Sequence, residues 1–137
     1  MFAEHGNKEK LMLKIDTENM MICLTRGDTA NIVFSAIDDT GQTYTPVEHD
    51  VLRFSVAKKV GADPLFEKTN IMENDADAFW TIQIQPADTN GLKFGDYAFD
   101  VQLTRYNSGD PEVDTIIGAT DDIKPTFRVW GEVATED

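Results

Sequence analysis

The stretch Tyr97-Ala98-Phe99-Asp100-Val101-Gln102-Leu103-Thr104-Arg105 alternates apolar and polar residues with a period of two. Successive side chains of a strand point to opposite faces. Tyr97, Phe99, Val101 and Leu103 therefore line one face, and Asp100, Gln102 and Thr104 the other. This is a strand with one buried face. The same period recurs on the N-terminal side. Over residues 30–37, Ala30, Ile32, Phe34 and Ala36 alternate with Asn31, Val33, Ser35 and Ile37. Over 51–58, Leu52, Phe54 and Val56 oppose Arg53, Ser55 and Ala57; over 78–85, Trp80, Ile82 and Ile84 oppose Phe79, Thr81 and Gln83. Trp80 shares the buried register of its strand, which makes it a structural residue.

Less regular strands are expected at 11–15, 20–25, 65–70, 113–118 and 126–133. The segments between them carry turn chemistry: Arg26-Gly27-Asp28, Asp38-Asp39-Thr40-Gly41, Gly61-Ala62-Asp63-Pro64, Asn90-Gly91 and Asn107-Ser108-Gly109-Asp110. Gly, Asn and Asp tolerate positive φ and Pro locks φ at a negative value suited to turns, so these residues end strands. Pro86-Ala87-Asp88-Thr89-Asn90 reads as a single helical turn between two strands. About eight or nine short strands with almost no helical periodicity define an all-β chain, an antiparallel sandwich or barrel. One domain is expected over 12–133. Residues 1–11 and 134–137 are expected to be flexible or partner-ordered tails, so that removing the first ten leaves folding intact.

Composition bounds the partners. The chain has 137 residues and a net charge of -13, from 25 Asp and Glu against 12 Lys and Arg. A chain of that size buries roughly two-thirds of its unfolded surface and needs no disulfide or metal to fold. Its charge repels the phosphate backbone of nucleic acid and the anionic face of a membrane, so neither is an expected partner. No apolar run reaches the length a membrane helix needs. The polar, mixed-charge start Met1 to Lys10 does not read as a secretory signal, so synthesis in the cytoplasm is expected. Cys23 is the one cysteine; inside Met20-Met21-Ile22-Cys23-Leu24 it is expected to pack as a small hydrophobe.

Catalytic chemistry finds no foothold. Nucleophilic catalysis needs a positioned histidine, and only His5, in the expected tail, and His49, in a polar loop, are available. No Gly-rich phosphate loop or zinc spacing occurs. The acidic runs Asp38-Asp39, Glu73-Asn74-Asp75-Ala76-Asp77 and Asp121-Asp122 are the candidates for calcium loops. The second has alternating oxygen donors but lacks the glycine and distal glutamate such a loop requires. No catalytic, cofactor or metal residue is expected. The tripeptide Arg26-Gly27-Asp28, familiar from integrin ligands, reads as a strand-to-strand turn. Trp130 lies on the face opposite Phe127 and Val129, which makes it the candidate for a surface contact with another protein.

The segment Asp88-Thr89, Leu92, Gly95, Tyr97 and the strand that follows resembles the tyrosine corner of immunoglobulin-like sandwiches, where the Tyr hydroxyl bonds backbone just upstream. The alternative is that Tyr97 is simply an inward aromatic; both roles are architectural. Further pieces occur in order: Ile22-Cys23-Leu24-Thr25-Arg26-Gly27-Asp28-Thr29 with Ile32-Val33-Phe34, then Leu52-Arg53-Phe54-Ser55-Val56-Ala57-Lys58-Lys59 and Leu65-Phe66-Glu67-Lys68. They continue with Ile84-Gln85-Pro86-Ala87-Asp88-Thr89, Leu92, the strand from Gly95 to Leu103, and Val113-Asp114-Thr115-Ile116-Ile117. Over roughly residues 12–133 this arrangement is similar to the N-terminal β-sandwich of the phage baseplate upper protein. It is also similar to short immunoglobulin-like virion proteins of tailed phages and prophages of Gram-positive hosts.

The resemblance implies a single antiparallel, immunoglobulin-like β-sandwich and a non-enzymatic virion structural protein. Such a module assembles or decorates the tail baseplate or capsid surface, in symmetric multicopy contact with other virion proteins. The chain lacks the long C-terminal region of a baseplate upper protein, which leaves an accessory or decoration role open. A soluble carbohydrate- or host-protein-binding module is the alternative. Aromatic residues clustered on one exposed sheet face would favour it.

Overall fold

The strands at the centre of the fold form where an alternating segment buries its apolar set, as in 30–34, 51–57 and 80–84. The computed structural model describes residues 2–5, 13–16, 20–36, 40, 42–73, 79–106, 110–119 and 123–131, with the backbone alone for 2–5 and 13–16. The chain is all-β, with ten strands and one short helix among the described residues.

A three-stranded sheet has the order β1 (Phe2–His5), β4 (Ala30–Phe34), β7 (Trp80–Ile84). A larger sheet runs β2 (Leu13–Asp16), β3 (Met21–Thr25), β10 (Thr126–Trp130), β8 (Gly95–Arg105), β5 (Val51–Ala57), β6 (Pro64–Ile71). A further strand, β9 (Glu112–Ile117), also pairs with β8. The 11-residue β8 is long enough to hold two neighbours in succession on one edge. Its residues 95–98 pair with β10 and its residues 101–105 with β9, while β5 runs along the other edge.

Two expectations need correction. The larger sheet is mixed, because β10 pairs with β3 in parallel, from Thr126 opposite Met21 to Trp130 opposite Thr25. Parallel pairing needs a long crossover rather than a hairpin. Here everything from β4 to β9 supplies it. Residues 2–5 are not outside the domain: β1 pairs antiparallel with β4, Phe2 opposite Phe34 and His5 opposite Ile32. Removing residues 1–10 would therefore strip an edge strand from the smaller sheet. The 134–137 tail lies outside the described residues.

One buried cluster joins the two sheets. Ala30, Ile32, Phe34, Trp80, Ile82 and Ile84 come from the smaller sheet; Ile22, Leu24, Leu52, Phe54, Val56, Phe99, Val101, Leu103, Phe127 and Val129 come from the larger. Phe54 lies at its centre. Its ring centroid is 5.4 Å from that of Phe99, 5.9 Å from Phe34, 6.2 Å from Phe127 and 6.4 Å from Phe66. On β6 the Asn70 amide donates to the Thr81 carbonyl of the smaller sheet at 2.7 Å, and Lys68 pairs with Asp88, just beyond β7, at 2.9 Å.

The turn at Arg26-Gly27-Asp28 is fixed by a distant partner. Helix α1 (Pro86–Thr89) follows β7, and its buried Thr89 hydroxyl accepts a hydrogen bond from the Gly27 N–H at 2.8 Å. Gly27 sits at φ +87, and a Cβ there would meet Asn90 Oδ1 at 3.0 Å. Only glycine fits both the conformation and the approach. Arg26 reaches the Leu92 carbonyl at 3.3 Å and lies 4.4 Å from the Phe94 ring centroid. The guanidinium of the Arg-Gly-Asp tripeptide is thus engaged within the fold. Thr89→Val keeps the shape but orphans the Gly27 N–H, and is expected to cost about 1–3 kcal/mol. The denaturation midpoint should fall with an unchanged slope.

Candidate functional site

The pairings register the outward residues of the larger sheet into rows. Ile71, Val51, Thr104 and Val113 form a row across β6, β5, β8 and β9, apolar apart from the Thr104 hydroxyl. Next come Thr69, Arg53, Gln102 and Thr115, then Glu67, Ser55 and Asp100. In the last row Pro64, Ala57, Ala98 and Thr126 stand side by side on β6, β5, β8 and β10. Two alanines opposite each other leave a dent in the sheet surface, because neither side chain rises above its Cβ. The loop from Lys59 to Pro64 walls that dent. It turns at Gly61, with φ +88, and closes through a bond from the Ala62 N–H to the Lys59 carbonyl at 3.1 Å.

The result is a groove of about 210 Å³ with Ala57, Ala98, Val60 and Pro64 at one end and Arg53, Glu67, Asp100 and Gln102 at the other. Its polar end is partly satisfied. Arg53 donates to Gln102 Oε1, and the Ser55 hydroxyl donates to Glu67 Oε2 at 3.2 Å. Asp100 makes no hydrogen bond or ion pair among the described residues. Burial pushes its carboxyl above the ordinary carboxylate range; Arg53 opposes this, and the Glu67 charge adds to it. Beyond the groove, Arg128 grips Asp96 through two bonds, Nε to Oδ1 at 2.6 Å and Nη2 to Oδ2 at 3.0 Å. Those bonds hold Asp96 below the ordinary carboxylate range.

A second polar constellation lies at the far end of β5. Asp50 is fully buried, and three donors converge on its carboxylate. Oδ2 accepts from the Tyr44 hydroxyl at 2.6 Å and from the Val47 N–H at 3.0 Å, and Oδ1 from the Tyr106 N–H at 3.3 Å. Arg105 lies 5.8 Å from the Tyr44 ring centroid and pairs with Asp114 at 2.7 Å and Glu112 at 3.3 Å. The Tyr44 hydroxyl is pushed up to about 12 by burial, and further by its hydrogen bond to Asp50 and that residue's charge.

The residues singled out from the sequence fall in separate places. Tyr97 is half-buried near the start of β8, and its hydroxyl donates to the Lys93 carbonyl at 2.6 Å. Tyr97→Phe is expected to cost about 1 kcal/mol, the net value of one such bond, measurable by chemical denaturation. Trp80 is 1% exposed and opposite Phe34; its indole Nε1 has no acceptor among the described residues. Trp130 is half-buried on the outward face of β10, and its carbonyl accepts the Arg26 N–H at 3.0 Å. It does not line the groove. Cys23 is buried on β3, and His49 is exposed at φ 80. Among the described residues no group of three or more His, Cys, Asp or Glu is placed to hold a metal. The candidate calcium runs lie outside the described residues, apart from Glu73.

Sequence reasoning missed the groove and the Asp50 centre. The groove's signal, Ala57 and Ala98 at one height on neighbouring strands, depends on a register that the sequence does not carry. Comparison with protein-family models and with curated proteins returned no match.

Proposed function

We propose that this chain is an immunoglobulin-like β-sandwich acting as a non-enzymatic structural module of a phage or prophage virion, with other virion proteins as partners. The observation that carries the fold part is the placement of four strands and one tyrosine. With β4, β5, β7 and β8 as strands B, C, E and F, B pairs with E in one sheet and C with F in the other. That division matches part of the immunoglobulin arrangement, ABED on one sheet and CFG on the other, and supports this reading. A tyrosine near the start of F bonding backbone just upstream is its corner, and Tyr97 with Lys93 has that geometry directly after α1.

The virion role is supported by the resemblance in motif order, whose pieces are physically coupled. Gly27 of the Arg-Gly-Asp-Thr turn is bonded to Thr89 of the Asp-Thr…Leu…Gly-x-Tyr segment. Multicopy display lets a weak interface suffice, since linked contacts add avidity without new chemistry. The edges at β1, β2 and β6 and the outward row of Ile71, Val51 and Val113 are the surfaces available for such contacts.

Cryo-electron microscopy of purified particles from the phage or prophage encoding the chain tests this. Density fitting the domain at a repeated position is expected and would assign head or tail. Its absence from particles would remove the virion reading and bring soluble host-protein binding forward. The groove favours that second reading over carbohydrate binding: its floor is alanine, and the one aromatic lining it, Phe99, is buried. A sugar face has no exposed ring to stack on there.

A further inference from the structure

Among the surface features, the groove on the outward face of β5 and β8 has a chemistry that selects its occupant. One end is floored and walled by Ala57, Ala98, Val60 and Pro64; the other presents Glu67 and Asp100 on either side of Ser55. Its volume of about 210 Å³ is on the scale of a side chain, not of a domain. An apolar trough ending in carboxylates matches a side chain with an aliphatic stem and a cationic head. Two carboxylates separated by a strand favour a planar head with several donors over a compact ammonium.

We infer that the groove receives an arginine side chain presented by a partner protein, its methylene stem over Ala57 and Ala98 and its guanidinium between Asp100 and Glu67. Two observations on charge support this. The chain carries -13 overall, which steers a cationic segment toward it. Asp100 has lost part of its hydration without gaining a hydrogen bond or ion pair among the described residues, so a guanidinium meets a carboxylate whose desolvation cost is already partly met. The groove's own cation at that end, Arg53, is bonded to Gln102 instead, and Lys59 lies on the rim. Both oppose the ligand, which makes the expected affinity per site modest and suited to repeated contacts. The inference stands whether or not the partner belongs to a virion, so failure of either leaves the other untouched.

The test uses Nα-acetyl-arginine amide as probe, titrated into the full-length chain and followed by amide chemical shifts. Shifts confined to residues 55–62 and 98–102 are expected, with no response to the uncharged isostere Nα-acetyl-citrulline amide. Asp100→Asn should weaken the probe roughly tenfold, the value of one charge-assisted bond. Ala98→Leu, which fills the trough without altering charge, should abolish binding, and Arg53→Gln should tighten it. Unlocalised shifts, an equal response to citrulline, or unchanged affinity in Asp100→Asn would overturn the inference. So would preferential binding of acetate with loss in Arg53→Gln, which would make this an anion site. An unperturbed spectrum away from the substituted position verifies that each variant is folded.

Discussion

Asp50→Ala is expected to lower the unfolding free energy by about 3–5 kcal/mol. It leaves the Tyr44 hydroxyl and the Val47 and Tyr106 amides without their acceptor. Each orphaned donor costs on the order of 1–3 kcal/mol when water cannot replace the partner, and the sum is reduced because the three act as one network. The amides belong to different segments: Val47 lies in the loop before β5, and Tyr106 directly follows β8. Removing the carboxylate therefore unties a loop from a strand end. Thermal unfolding should drop by roughly 10–20 °C, using the usual few degrees per kcal/mol for a domain of this size. A drop of only a degree or two would show that solvent reaches the site and substitutes for Asp50. Asp50→Asn should be milder, since its amide oxygen can still accept from Tyr44 or Val47.

The same network gives the fold an alkaline limit. Tyr44 is neutral when protonated, and in the fold its hydroxyl is held up at about 12, against an ordinary value of about 10. The folded state therefore keeps its proton more tightly than the unfolded state. This contribution is fully present below about pH 10 and is lost as pH rises toward 12. Tyr44→Phe should be less stable at neutral pH but show a shallower loss of stability across that window. An identical slope for wild type and variant would remove Tyr44 from the account.

Phe54→Ala is the second large effect, expected at about 3–5 kcal/mol. The side chain is fully buried, and its ring has four aromatic neighbours drawn from both sheets. Those neighbours stand on four different strands, so the hole cannot collapse by moving one of them. Phe54→Leu, which retains most of the volume, should cost less than half as much. Equal losses for the two variants would mean that ring packing, rather than volume, sets the stability.

Much of this architecture is legible in the sequence because burial on one face writes itself as alternation. Leu52, Phe54 and Val56, and Trp80, Ile82 and Ile84, are inward as their period requires, and strands at 51–57, 80–84 and 95–105 lie close to where the pattern puts them. The single turn at Pro86 follows from a proline at a helix start,. What the pattern lacks is direction and partner. Nothing local in Met21–Thr25 or Thr126–Trp130 distinguishes parallel from antiparallel pairing, and the four residues of β1 are too few to show a period. Asp50 was hidden for the opposite reason. A carboxylate is read as surface by residue type, and only three converging donors from distant positions justify its burial. The Gly27–Thr89 contact lies between: each residue belongs to a motif legible in the sequence, yet their meeting is a tertiary fact.

The parallel pairing of β3 with β10 also sets a timetable for the chain on the ribosome. Thr126 meets Met21, so one of the first strands of the larger sheet waits for the last. Until residues 126–130 emerge, β3 and β8 have no strand between them, and Ile22 and Leu24 lack the Phe127 and Val129 side chains beside them. Local hairpins such as β5–β6 can form early, but closure over so long a separation is slow. The nascent domain therefore exposes apolar strand surface through most of its synthesis, which is when it is most exposed to aggregation.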